Sequence, residues 1–142
     1  KEIIVISNKK NKDRKEDSSI NHNVGEMVSC PNFDITLNSF QIKKEGTRID
    51  SFNVIKDPEW IGVILTVKNT SSGERTFYSS DINLQNSTGE IIKPKFWNYD
   101  IWGAELLNSP KLVPDGVKTG YISFANTNQD DSDLKIKINC KR

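Results

Sequence analysis

Apolar residues recur at every second position along most of this chain, which is the period of a β-strand and not of a helix. The alternation is clearest in WIGVILTVK and DLKIKINC, and shorter alternating runs are FDITLNSFQI, DINLQ and VKTGYISF. The best helical candidate is Tyr99–Leu107, which would complete only about two turns. The pattern therefore predicts an all-β protein.

The phase of the alternation and the turn residues refine this prediction. In FDITLNSFQI the apolar positions share one face up to Leu37 and resume at Phe40, which indicates a β-bulge at Asn38-Ser39. In LTVKNTSSGE the small polar residues after Val67 tolerate turn dihedrals and can satisfy their own backbone. Over residues 27–142 this favours an immunoglobulin-like antiparallel β-sandwich of about seven to nine strands, with one solvated face per sheet.

Residues 1–26 differ from the rest of the chain. They hold one short apolar run, Ile3–Ile6, followed by a stretch rich in Lys, Asp and Asn that has almost nothing to bury. We interpret residues 8–23 as a tether or long loop, and we expect Ile3–Ile6 to add an edge strand to its own sheet or to a neighbour's. Residues 1–26 are thus predicted to be a polar N-terminal tether or an extra edge strand.

Composition limits the possible partners. The chain has 142 residues, which suits one domain, and 35% of them are hydrophobic, enough for one core of moderate size. Twenty basic and 19 acidic residues give a net charge of +1, so neither a nucleic acid nor an acidic membrane surface is an expected partner. No apolar run approaches the ~20 residues that a membrane span needs.

The two cysteines, Cys30 and Cys140, bracket almost everything that looks folded. If they pair, the bond closes a loop of about a hundred residues and indicates an oxidising, extracytoplasmic compartment. The alternative is two unrelated buried thiols. We favour the disulfide on composition and placement alone.

The order of strands and turns resembles a known family. The pieces that carry the likeness are VKNTSS, then SSDINLQNSTGEIIKP, then LVPDGVKTGYISF before a final alternating strand. Over about residues 25–140 the chain resembles the telokin-like, immunoglobulin-type sandwich family of unknown function found in bacterial surface lipoproteins and secreted proteins. The matching positions are Val67-Lys68-Asn69, Ser80-Asp81, Leu84, Gly89, Pro114-Asp115-Gly116, Gly120 and Phe124.

This resemblance implies an exported domain, often tethered through a lipidated N-terminal cysteine and a polar linker. Residues 8–23 suit such a linker, whereas Cys30 lies too far into the domain to carry the lipid. We therefore expect an extracytoplasmic protein that is either secreted or held at the cell surface by an anchor removed upstream. The family brings no catalytic residues, and no cofactor is expected.

The most distinctive stretch is KPKFWNYDIW, inside the segment from 93 to 109. One interpretation is a stacking platform for a sugar ring or a peptide, and the other is a lid whose rings plug one end of the sandwich. The candidate ligand-binding residues are the rings Trp97, Tyr99 and Trp102 and the hydrogen-bonding residues Asn98 and Asp100.

Other chemistry has weaker signals. Asp130, Asp131 and Asp133 gather oxygen ligands that suit calcium, but the loop lacks the glycine and distal glutamate of a hand-type site, so we favour a polar connection before the last strand. The only histidine, His22, lies in the polar tail, which argues against a Ser-His-Asp or Cys-His system.

These features favour a non-enzymatic extracytoplasmic binding or interaction module whose partner is a cell-surface protein, a peptide or a glycan. One alternative is a carbohydrate- or cell-wall-active hydrolase that uses surface carboxylates. Another is a purely structural spacer. The fold class does not distinguish these functions, because sandwich domains serve all of them.

Overall fold

The computed structural model describes residues 2–7, 21–128, 131 and 133–140. These residues contain no α-helix, so no helix among them could cross a membrane, and Tyr99–Leu107 forms turns instead of a helix. The all-β prediction is confirmed. The elements are β1 (Glu2–Ser7), β2 (Asn21–Asn23), β3 (Met27–Ser29), β4 (Phe33–Lys44), β5 (Glu59–Asn69), β6 (Arg75–Thr76), a 3-10 turn (Ser79–Asp81), β7 (Ile82–Gln85), β8 (Ile91–Ile92), β9 (Lys111–Leu112), β10 (Val117–Asn126) and β11 (Lys135–Cys140).

Two sheets face each other across a dry interior, as expected for an immunoglobulin-like sandwich. Sheet I has the strand order β2-β1-β11-β7-β8, and sheet II has the order β10-β5-β4-β3. Strands β6 and β9 form a separate two-stranded ribbon at one end. All pairings between these strands are antiparallel except that of β1 with β2.

The N-terminal apolar run joins the protein's own sheet. Strand β1 pairs with β11 from Glu2–Cys140 to Ser7–Lys135, and β2 pairs with its other side. Strand β1 is therefore the second strand of sheet I, and β2 is its edge strand. Most of the expected tether, residues 8–20, lies outside the described residues.

The main core follows the alternation in the sequence. Strands β5 and β11 bury every second side chain between the sheets, and β7 contributes two more. The register of β4 against β5 shifts between Leu37 and Ser39, so the predicted bulge is confirmed. The core residues of these three strands are Ile61, Val63, Leu65, Val67, Ile82, Leu84, Ile136, Ile138 and Cys140.

A second apolar layer covers the part of the outer face of sheet II where β5 begins, which corrects the expectation of one solvated face per sheet. Farther along that face Thr66 is only partly buried and Thr119 is exposed. Trp60 and Tyr121 point away from the main core and are buried with Trp102 and Ile55. The sequence of β5 indicates this burial on both faces. In WIGVIL the residues that point to either side of the strand are apolar, as in strands that are covered on both faces.

The polar turn after β5 is organised by a buried amide. The Nδ2 of Asn69 donates to the carbonyl oxygens of Gly73 and Leu112, both at 2.9 Å. Its Oδ1 accepts from the backbone N–H and the hydroxyl of Ser71, at 2.9 and 2.7 Å. Asn69 thus fixes the β6–β9 ribbon to the end of β5, and this ribbon forms part of the pocket described below.

Candidate functional site

The aromatic insert, residues 93–109, runs along the free edge of β10 and folds over sheet II. Its entrance is held by the Lys95 N–H, which donates to the Ser123 carbonyl at 2.8 Å. Its exit is held by the Leu107 N–H, which donates to the Tyr121 carbonyl at 2.9 Å. The insert therefore satisfies backbone groups that an open sheet edge would expose.

Trp102 is a core residue of the outer layer. It is only 3% exposed, and its ring occupies the space beside Gly62, where a Cβ atom would lie 2.2 Å from Cε3 of the ring. The Gln41 amide donates to the Trp102 carbonyl at 3.0 Å, and the Lys43 ammonium lies 5.5 Å from the ring centroid. A ring in this position offers no free face for a ligand.

Trp97 and Tyr99 are half-buried and both stack on Trp60, with centroid distances of 4.3 and 5.7 Å. The Tyr121 hydroxyl donates to the Trp97 carbonyl and accepts from the Tyr99 N–H at 3.1 Å. Burial, together with the nearby carboxylate of Asp100, raises the pKa of Tyr121, even though the Tyr99 hydrogen bond opposes the rise. The hydroxyl therefore stays protonated and fastens the insert.

The structure separates the five predicted ligand residues instead of gathering them. Asn98, Tyr99 and Asp100 line an open hollow of about 400 Å³, whereas Trp97 and Trp102 do not line it. The insert also covers a sheet face and does not plug one end of the sandwich, which corrects the lid interpretation. The reason is that Trp97 stacks on Trp60 and Trp102 fills the space beside Gly62 on that face.

Cys30 and Cys140 form a disulfide, with their Cα atoms 5.2 Å apart. Cys30 follows β3 of sheet II, and Cys140 ends β11 of sheet I, so the bond joins the two sheets. It lies at the end of the sandwich where β4 begins, beside the β6–β9 ribbon.

Next to the disulfide is a pocket of about 360 Å³, which we call the disulfide-end pocket. Its apolar lining combines both sheets, and Phe33 and Phe77 meet there edge to face with centroids 5.5 Å apart. Asn32, Glu74, Arg75, Thr76, Tyr78, Asp81 and Asn139 supply polar groups, and the apolar lining is Phe33, Ile35, Phe77, Ile138 and the two cysteines.

The charges around this pocket are unevenly paired. Glu74 is engaged by Lys111 at 3.5 Å. Arg75 is exposed, and no described residue gives its guanidinium a hydrogen bond or an ion pair. Tyr78 is 55% exposed, so its ring is available at the pocket. Asp81 is a second carboxylate in the lining, so Arg75 is the cation of a pocket that also holds two acidic residues. The site can accept an apolar group that carries a carboxylate at Arg75, because a guanidinium binds carboxylates in a bidentate manner.

Sequence reasoning missed this pocket. Its lining comes from three segments that are far apart in the chain, residues 30–35, 74–81 and 138–140. The available signals were the two cysteines that close it and the run Arg75–Tyr78, in which a cation and two aromatic rings follow a turn. Neither signal predicts that the cysteines and the run Arg75–Tyr78 lie next to each other in the fold.

A buried polar cluster lies at the opposite end of the sandwich. Glu59 is fully buried, accepts from the Asn126 amide at 2.9 Å and pairs with the Lys44 ammonium at 2.5 Å. The same Asn126 nitrogen lies 3.4 Å from Asp131, and the Asn86 amide donates to Asn126 at 3.2 Å. Both carboxylates are thus engaged by protein groups, and Glu59 is out of reach of a substrate.

Part of the predicted calcium site lies in this buried cluster. Asp130 lies outside the described residues, whereas Asp131 and Asp133 are described. Asp131 accepts from the backbone N–H groups of Ser87 and Asp133, both at 3.2 Å. In the described part of the chain, no three His, Cys, Asp or Glu side chains converge in a way that could hold a metal ion.

The stability of the fold depends on pH through the carboxyl group of Asp131. Desolvation by burial raises the pKa of its carboxyl, but the hydrogen bonds from Ser87, Asp133 and Asn126 outweigh it and hold the pKa below its ordinary value of 3.8. A carboxyl whose pKa is lower in the folded than in the unfolded state stabilises the fold above the unfolded value. This contribution is lost as the pH falls through the folded value.

We expect Asp131→Asn to lower the free energy of unfolding at pH 7 by about 1–3 kcal/mol, because a charged hydrogen-bond acceptor is lost. The difference from wild type should shrink as the pH falls below the ordinary value of 3.8. Urea denaturation between pH 2 and 7 measures this, with Asp115→Asn, an 86% exposed carboxylate, as the control. A constant difference across the whole range would contradict the assignment.

Comparisons with known proteins extend this description. No curated protein matches the chain in sequence. Among solved structures, the yjhA protein of Bacillus subtilis superposes with a TM-score of 0.63 at 17% identity, covering 80% of this chain and 78% of its own. The secreted protein MPT63 of Mycobacterium tuberculosis gives 0.52 at 16% identity, covering 78% of this chain and 83% of its own.

A third similar structure is a Bacillus subtilis protein described as a "putative lipoprotein (ycdA)", with a TM-score of 0.52 at 14% identity. The match covers 82% of this chain but 39% of that protein. At these identities the likenesses establish the sandwich fold alone, and the telokin-like character stays a prediction. Residues 22–141 match the family described as "Domain of unknown function (DUF4352)", and the chain therefore belongs to this family.

Proposed function

We propose that this protein is a non-enzymatic binding module that works outside the cytoplasmic membrane and binds its ligand in the disulfide-end pocket. The single observation that carries the proposal is a pocket of about 360 Å³, lined by apolar and polar side chains, beside the guanidinium of Arg75, which no described residue pairs. The ligand class that fits is a peptide segment presenting an apolar side chain next to a carboxylate.

The extracytoplasmic location is supported by two observations. The disulfide between Cys30 and Cys140 would persist in an oxidising compartment and be reduced in most cytosols. Two proteins of similar fold are described as a secreted protein and as a "putative lipoprotein". A module held at the cell surface or released from the cell agrees with both.

The non-enzymatic part of the proposal is supported by where the titratable groups lie. His22 is bonded to Glu26 at 3.2 Å on the edge strand β2 and does not line the disulfide-end pocket. The closely placed carboxylates Glu59 and Asp131 are committed to the buried cluster. A hydrolase needs two accessible carboxyl groups on either side of a scissile bond. The two carboxylates that line the disulfide-end pocket are Glu74, which is paired with Lys111 at 3.5 Å, and Asp81, which also has an interaction partner.

The test is a titration of the ¹⁵N-labelled protein with N-acetylphenylalanine, followed by NMR chemical-shift changes. We expect a dissociation constant of roughly millimolar size, as for a fragment of this many atoms. The shifts should lie around Phe33, Phe77 and Tyr78. N-acetylphenylalaninamide, which lacks the carboxylate, should bind several-fold more weakly.

Arg75→Gln should remove this preference for the carboxylate, whereas Lys118→Gln, which alters a surface cation paired with Glu105, should leave it unchanged. No shifts at the highest soluble concentration would overturn the proposal and favour a structural spacer. Shifts confined to the hollow around Asn98 and Asp100 would also overturn it, because they would move the ligand site to the aromatic insert.

A further inference from the structure

The connection between β4 and β5 presents an aromatic side chain directly to water. Phe52 is 95% exposed at the tip of a short hairpin, whose two arms meet in a bridge between Arg48 and Val54. Single exposed apolar residues are common on protein surfaces, but an aromatic ring held on an ordered turn can act as an anchor residue where a partner offers a pocket.

Hydrogen bonds hold this turn in one conformation. The Oδ1 of Asp50 accepts from the N–H groups of Phe52 and Asn53, at 2.8 and 2.9 Å. Nη1 of Arg48 donates to the carbonyl of Ser51 at 3.2 Å. The bond from Phe52 is the largest cause that lowers the pKa of Asp50, so the carboxylate beside the ring stays charged. The turn therefore presents Phe52 and a negative charge together at little entropic cost.

The base of the hairpin is anchored in the fold. The Ile55 N–H donates to the Thr47 carbonyl at 2.8 Å, and the Gly46 N–H donates to the Ile55 carbonyl at 2.8 Å. The Ile55 side chain is fully buried in the outer layer with Trp60. The position of the hairpin is thus set by the domain.

The same molecule carries a site of matching chemistry. The disulfide-end pocket has apolar side chains that can contact a ring, and Arg75, which no described residue pairs, can bind a carboxylate. Glu74 and Asp81 also line the pocket, so Arg75 is the group to which a carboxylate must be directed. It adjoins Phe33 at the start of β4, whereas the hairpin follows Lys44 at the end of β4. A strand of 12 residues spans about 40 Å, so ring and pocket cannot meet within one molecule.

We propose that the Phe52 hairpin of one copy inserts into the disulfide-end pocket of a second copy, with Asp50 facing Arg75. This inference rests on the proposed function, since it names the partner that the pocket binds. The contact is heterologous: two different surfaces meet, and the pair keeps one free hairpin on one copy and one free pocket on the other. Such contacts produce open head-to-tail chains unless the rotation between copies closes a ring.

The association is weak in dilute solution. One hairpin in one pocket buries much less than the ~1,200 Å² typical of stable complexes. Copies held close together on one surface would assemble more readily, because confinement raises their effective concentration. The contact thus suits a protein concentrated at a cell surface.

Sedimentation velocity at increasing protein concentration tests the proposal. We expect the average mass of the wild type to rise with concentration, whereas Phe52→Ala and Arg75→Glu each remain monomeric. Phe96→Ala removes another exposed ring, 46% exposed and outside both surfaces, and should behave as wild type. N-acetylphenylalanine should compete with the association and lower the average mass.

Mixing the two monomeric variants gives the sharpest outcome. The Phe52→Ala protein keeps an intact pocket, and the Arg75→Glu protein keeps an intact hairpin, so an equal mixture should form dimers that do not grow further. Growth beyond dimers, or no dimers in a mixture whose wild type associates, would overturn the head-to-tail arrangement.

The remaining outcomes separate this inference from the proposed function. If the wild type stays monomeric while Phe52→Ala still binds N-acetylphenylalanine, the inference fails and the proposed function stands. If neither association nor ligand binding occurs, both fail. If Phe52 is needed only for binding to phosphatidylglycerol vesicles, the hairpin contacts a membrane and self-association is refuted.

Discussion

Replacing Gly62 by alanine is expected to lower the free energy of unfolding by ~3 kcal/mol, the upper part of the range for overpacked cores. The added methyl group would lie 2.2 Å from Cε3, 2.4 Å from Cδ2 and 2.5 Å from Cζ3 of Trp102. The ring cannot move away easily, because Gln41 holds the Trp102 carbonyl and the ring is buried. Urea denaturation followed by circular dichroism measures the change.

A double-mutant cycle tests whether the ring is the cause. Trp102→Ala alone should cost about 3–5 kcal/mol by leaving a cavity. In that background Gly62→Ala should cost almost nothing, because the clash has gone. Gly73→Ala is the matched control, since no atom lies within 4 Å of its added methyl group. An equal cost of Gly62→Ala in both backgrounds would contradict the packing described here.

The same double-mutant cycle shows which residues can be used to test the aromatic insert as a ligand-binding platform. Substituting Trp102 should destabilise the domain, so any loss of binding in that variant would report unfolding. Asn98 and Asp100 are exposed and can be replaced without this cost, which makes them the better probes of the hollow beside the insert.

Reduction of the disulfide is expected to lower the free energy of unfolding by up to ~4–5 kcal/mol. The bond links residues 110 positions apart, so it strongly restricts the unfolded chain. Denaturation with and without reductant measures the effect, and the double variant Cys30→Ser, Cys140→Ser should match the reduced wild type. Two free thiols in the oxidised protein, found by mass measurement, would refute the bond.

Reduction should also weaken the binding of N-acetylphenylalanine, because both cysteines line the pocket. This second readout separates local from global effects. If stability falls while affinity for the still-folded protein is unchanged, the disulfide contributes to the fold without shaping the pocket.

Much of the fold could be predicted from the sequence because its determinants are local. The alternation that buries Ile61 and Ile136 is visible within single strands, and the phase shift before Phe40 marks the bulge. Turn residues such as those after Val67 act through their own backbone. Pairing of the two cysteines was predictable from their position in the sequence, where they bracket almost all of the predicted strands.

The candidate sites could not be predicted in the same way. Trp97, Tyr99 and Trp102 are adjacent in sequence, but their surroundings are set by Trp60 and Gly62, which lie more than thirty residues earlier. Whether a ring stacks on a ligand or on another strand depends on what covers the outer face of sheet II. No local pattern encodes that choice.

The sequence by itself determined which residues are strands, which of their faces are apolar and where the chain turns, because side-chain period and turn chemistry act over a few residues. Only the tertiary structure decided that the insert covers a sheet, that Phe52 stands free and that Arg75 meets the disulfide in one pocket. These outcomes depend on the packing of distant segments, and packing is fixed only when the two sheets come together.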